Sequence, residues 1–189
     1  TGFRFIYSSL ASGSVGGQRV NPGSSVGLDL AAMYRTNELN IGNKIGRFQA
    51  GVNLSNIGPG VQYTDNAQKD PLPTMLRFGW AFTMELDQNG VNTLTLAQDI
   101  SKVMARNEQV VANGDTTFQS MPVLKALVKS WGPFERNTGI ETVELSFMDQ
   151  LMIGVGLEYT YNKLFSLRSG YYSEHEYNGN RKFVTLGAG

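Results

Sequence analysis

Between Arg47 and Asn56 the chain reads RFQAGVNLSN, with Phe48, Ala50, Val52 and Leu54 alternating with Arg47, Gln49, Gly51, Asn53 and Ser55. Successive side chains of an extended strand point to opposite faces, so this stretch is expected to be a strand with one apolar and one polar face. The pattern recurs. Val26, Leu28, Leu30, Ala32 and Tyr34 oppose Gly27, Asp29, Ala31 and Arg35, with Met33 the one apolar residue on the polar side. Leu76, Phe78, Trp80, Phe82 and Met84 oppose Arg77, Gly79, Ala81, Thr83 and Glu85. Shorter versions run through Phe3–Phe5–Tyr7, Leu94–Leu96–Ile100, Ile153–Tyr161, Phe165–Tyr171 and Val184–Ala188, which makes eight candidate strands. Two all-β architectures use such strands. A soluble sandwich turns the apolar face inward, whereas a membrane barrel turns it to lipid and lines its lumen with the polar face.

The polar faces separate these two. They combine Gly, Ala, Ser and Thr with sparse charges, namely Arg4, Asp29, Arg47, Arg77, Asp99, Glu158 and Arg168. A solvated sandwich face carries many Lys and Glu, because long charged side chains are cheap in water and guard edges against aggregation. Small residues with a few opposite charges fit a crowded lumen, where the charges are expected to pair with one another and to have no specific chemistry. Composition agrees with a β-rich chain: 22 Gly, 10 Phe, 8 Tyr and 2 Trp among 189 residues, with no Cys. Sixteen basic side chains balance sixteen acidic ones, so nucleic acid is not an expected partner. Mean hydropathy is −0.22, and no run approaches the roughly 18 apolar residues of a spanning helix. A spanning strand needs only about 10 residues, so a barrel stays open.

The connections carry the second clue. In order they span 9–24, 37–45, 57–73, 87–90, 101–149, 162–163 and 174–180, alternately long and short. Strict up-and-down hairpins of an outer-membrane barrel put short turns at the periplasmic end and long loops outside. The short links carry turn chemistry in Asp87-Gln88-Asn89-Gly90 and Asn162-Lys163. Tyr34, Tyr161 and Phe165 beside short turns, and Tyr171 and Tyr172 beside a long one, fit aromatic girdles. The expected fold is therefore an antiparallel up-and-down transmembrane β-barrel, one domain over 1–189, incomplete at both ends because the chain starts and stops within strands.

In the link 101–149, Met121 to Trp131 places Val123, Leu124, Leu127, Val128 and Trp131 at helical spacing, with Lys125 and Lys129 on the other side. A short helix is expected there, in a long extracellular loop. Its apolar stripe, with Phe134 at the following Trp131-Gly132-Pro133-Phe134 tip, either packs on the barrel rim or forms a docking surface for a partner. Chemistry is not expected. The one histidine, His175, sits in Ser173-Glu174-His175-Glu176, and there is no G-x-S-x-G elbow and no H-E-x-x-H. No catalytic residue, metal ligand set or cofactor is assigned; a hydrolase would have to lean on His175.

The run NLSNIGPGVQYTD, followed by KDPLPTMLRFGWAF, and the later LEYTYNKLFSLRSGYYSEHEYNGNRKFVTLGAG resemble the PorV family of outer-membrane proteins of the Bacteroidetes type IX secretion system, over about residues 24–100 and 150–189. The resemblance implies a fourteen-stranded barrel related to the FadL transporters of hydrophobic compounds, in the outer membrane among lipids and lipopolysaccharide. It implies a subunit that binds cargo at the SprA translocon through the cargo's C-terminal signal domain and carries it to the surface sortase complex. Transport of hydrophobic compounds and lipid A deacylation are the alternatives that the family leaves.

Overall fold

A computed structural model of the chain describes residues 1–9, 13–15, 18–63, 69–112, 115–137 and 141–189. Its strands are β1 (Gly2–Ser8), β2 (Gly13–Val15), β3 (Gln18–Val20), β4 (Gly23–Arg35), β5 (Leu39–Ile41), β6 (Lys44–Ile57), β7 (Met75–Glu85) and β8 (Asn92–Val103). They continue with β9 (Asn107–Ala112), β10 (Asp115–Ser120), β11 (Phe134–Asn137), β12 (Thr142–Leu145), β13 (Leu151–Tyr161), β14 (Phe165–Glu174) and β15 (Lys182–Ala188). One α-helix, α1, spans Val123–Lys129. Among the described residues no helix is long and apolar enough to cross a membrane.

All eight strands read from the alternation are present. They form one sheet in the order β1-β4-β6-β7-β8-β13-β14-β15, each beside the next long strand of the chain, with β5 added to β6. The ladders of β1 with β4, β8 with β13, β13 with β14 and β14 with β15 are antiparallel and preserve the phase of the pattern. Phe3 faces Leu28 and Phe5 faces Val26; Leu157 faces Leu96 and Tyr159 faces Leu94. On the other side Glu158 faces both Thr95 and Arg168. A slip of one residue would move each apolar set to the opposite face, so this register follows from the alternation. Among the described residues no ladder joins β1 to β15.

The chain divides into two compact units. One comprises 1–30, 54–76 and 103–144, and holds most of the small buried core: Val61, Leu72, Met104 and Ala126, with Ser25, Thr74 and Ser130. Its links are fixed by hydrogen bonds from side chains to backbone. Ser25 donates to the Pro59 carbonyl at 2.6 Å, Thr74 to the Asn56 carbonyl at 2.8 Å, and Ser130 to the Met104 carbonyl at 2.8 Å. Gly58 lies so close over β4 that a Cβ there would stand 1.9 Å from the Val26 carbonyl oxygen, which is why the Gly-Pro-Gly link needs its first glycine.

The other unit comprises 31–53, 77–102 and 145–189 and carries the short turns. Asn162 and Lys163 both have positive φ, 51° and 57°, the signature of a type I′ hairpin matched to strand twist. In the turn 86–91 the Asp87 carboxylate accepts from the side-chain amide of Asn92 and from the backbone N–H groups of Val91, Asn92 and Asn89, which hold it below the usual aspartate range. The link 37–45 contains a small extra strand, β5, that the alternation does not predict, because three residues are too few to show a period.

Candidate docking site and polar face

The described residues of the link 101–149 form two two-stranded sheets, β9 with β10 and β11 with β12, and a helix. β9 pairs with β10, placing Asn107 opposite Ser120, and Met121 then donates its N–H to the Arg106 carbonyl at 2.9 Å, which delivers the chain to α1. Pro122 takes the N-cap position, with ψ 137°, and accepts from Ala126 N–H. The helix is shorter than the expected 121–131, and it divides the expected stripe. Ala126 and Ser130 are buried, Val123 and Leu127 are half-buried, and Leu124 and Val128 are 78% and 75% exposed. Trp131 is 56% exposed just beyond the helix. Two small residues let the helix approach closely, and the Ser130 hydroxyl reaches the Met104 carbonyl, so the packed face runs through 123, 126, 127 and 130. Leu124, Val128 and Trp131 are left outward, beside Lys125, which is paired with Glu108. Phe134 is half-buried, with the Arg106 guanidinium 4.1 Å above its ring. Arg106 is itself part-buried, and that burial lowers its pKa.

Five of the seven charges assigned to the polar face, Arg4, Asp29, Arg47, Glu158 and Arg168, meet oppositely charged partners. Arg4 binds Asp29 at 2.6 Å, and Asp29 also accepts the Asn56 N–H at 2.8 Å. Arg168 pairs with Glu158 directly across β13 and β14. Arg47 binds Glu38 at 2.6 Å and Glu85 at 3.0 Å. Asp99 stands opposite Gly154 and against Gly79, where a Cβ would come within 2.3 Å of its carboxylate oxygen. Arg77 also interacts. With Thr95, Gly156, Gly170 and Thr185, the residues Asp99, Glu158 and Arg168 line a depression of about 450 Å³. Glu38 was not legible as a member, since it lies in a link with no strand phase.

Two further polar groups escaped the alternation. Lys102 is buried, donates to Gln150 and stands 5.3 Å from the Phe147 ring. Glu174, also buried, accepts from Arg181 through Nε at 2.6 Å and Nη2 at 2.9 Å, and from the Tyr172 hydroxyl at 3.0 Å. The one available signal was a lysine in the apolar phase of β8.

His175 belongs to a structural clasp. Its Nδ1 accepts from Tyr177 N–H at 3.4 Å, and its Nε2 lies 3.6 Å from Asp149 Oδ1. The Ser146 hydroxyl donates to Asp149 Oδ2 at 2.6 Å, and Asn178 donates to the Asp149 carbonyl at 2.9 Å. The contact order is thus Ser-Asp-His, whereas general-base activation needs the imidazole between serine and carboxylate. The Ser146 hydroxyl and N–H, helped by His175, hold the Asp149 carboxyl below its usual range, which makes it a poor base. Among the described residues no group of three His, Cys, Asp or Glu could hold a metal.

A family model described as "Type IX secretion system protein PorV" matches residues 1–110 of the chain. No curated protein matches it.

Proposed function

The chain belongs to the PorV family of type IX secretion system proteins, and from that premise we propose that it is an outer-membrane subunit that binds secreted cargo at the translocon and passes it to the surface attachment complex. The family match over residues 1–110 is the observation that carries this reading. We read the meander as part of a larger FadL-like barrel of fourteen strands, with its apolar face to lipid, its paired charges in the lumen and its long links outside. Leu124, Val128 and Trp131, exposed on a helix whose other face is anchored, are the docking residues this reading favours. The paired charges of Arg4 with Asp29 and of Arg168 with Glu158 on the polar face favour docking over transport of hydrophobic compounds. The clasp around His175 likewise favours a role without catalysis.

The test is Leu124→Asp combined with Val128→Asp. Both side chains are exposed, so the barrel should still fold and remain heat-modifiable, while co-purification with translocon and cargo falls roughly thirtyfold, the loss of about 2 kcal/mol at an interface anchor. His175→Ala should leave cargo secretion unchanged. Retained partners in the first variant together with lost function in the second would replace the docking reading with an enzymatic one.

A further inference from the structure

We propose that the sheet wall around Trp80 and Gln98 is a contact surface for a second copy of this chain within the membrane; the inference rests on the outer-membrane reading, since it concerns a face turned to lipid. Gln98 lies in the middle of β8, between Leu96 and Ile100 on the apolar face and opposite Val155 of β13. Its Oε1 accepts the Trp80 indole N–H at 2.9 Å. Its Nε2 donates to no group among the described residues. The indole needs an acceptor, and that accounts for one atom of the carboxamide only. Two amide donors remain on a face where hydrocarbon can accept neither, and polar side chains at such depth are costly and mark functional contacts.

A carboxamide is self-complementary. A two-fold axis beside Gln98 would let Nε2–H of each copy donate to Oε1 of the other, using the lone pair that Trp80 leaves free. The surround suits burial: Leu96, Val155 and Leu157 are exposed and uncharged, so closing the contact desolvates no ion. A different membrane protein would need to supply an acceptor at this depth, whereas a second copy brings one by symmetry.

The chain has no cysteine, so single-cysteine variants report cleanly. In outer membranes, Val155→Cys treated with a short bis-maleimide should give a band of twice the chain mass, at least fivefold stronger than Val52→Cys on β6. Adding Gln98→Leu should lower that band at least fivefold. Equal bands from the two positions, a band indifferent to Gln98→Leu, or a product of any other mass would overturn the proposal. The same two cysteines are also treated with lipid-soluble and membrane-impermeant maleimides. If both react as fast with the impermeant reagent, the outer-membrane reading itself fails and takes the proposal with it; if both react only with the lipid-soluble one and no dimer forms, the proposal fails alone.

Discussion

The long strands and the long links treat hydrophobic residues in opposite ways. Along the strands Phe3 and Leu186 are 73% and 83% exposed, with Phe5, Leu30, Val155 and Leu167 open beside them. In the links and at their margins Ser25, Thr74, Lys102, Ser130 and Glu174 are buried. A soluble protein reverses this, because water penalises a continuous apolar surface and unpaired buried polar groups alike. The difference teaches what surrounds each region. The links supply their own interior and pair their polar groups within it, while the strand wall turns its apolar side chains outward, which on the outer-membrane reading meet lipid.

The comparison breaks most visibly if a charge is placed on the wall. Val52→Arg should cost about 2–4 kcal/mol at mid-bilayer, while Asn53→Arg, one residue along and on the polar face, should cost little. Urea titration of the barrel in lipid vesicles would measure both, and equal costs would return the chain to the soluble class. In the links, Ser130→Ala should loosen α1 by about 1 kcal/mol, because the Met104 carbonyl loses its buried donor. Hydrogen exchange at residues 123–130 should rise while exchange in β13 and β14 stays unchanged. The smallest effect is that of acid. The Asp149 carboxyl is held low in the folded chain, so its contribution is present above the pKa of a free aspartate, about 4, and is lost as pH falls through the lower folded value. Proteolysis within 175–181 should therefore increase once pH falls below about 4.

The wall was legible in the sequence, and the links were not. A period of two is a local property, so Phe48 to Leu54 declares its strand and phase without reference to anything distant. The short turns are equally local: Asp87 folds its carboxylate onto its own neighbours. The strand pairs β9–β10 and β11–β12 have no such mark, and both lie inside what reads as one long link, 101–149. For α1 the helical spacing was visible, but which side would pack was decided by a carbonyl 26 residues away, at Met104, reached only by the small Ser130. The paired charges were half legible. Alternation places Glu158 and Arg168 on one face, whereas Glu38 joins Arg47 from outside any long strand.

The central claim is that the apolar face of β6 looks into lipid and its polar face into a wet lumen. Single cysteines placed in turn at 47–54 and probed in native membranes with a lipid-soluble and a membrane-impermeant thiol reagent test it directly. The account predicts strict alternation, with positions 48, 50, 52 and 54 labelled from the lipid phase and 47, 49, 51 and 53 from water. Labelling of all eight positions from water, or alternation with the two sets exchanged, would contradict it.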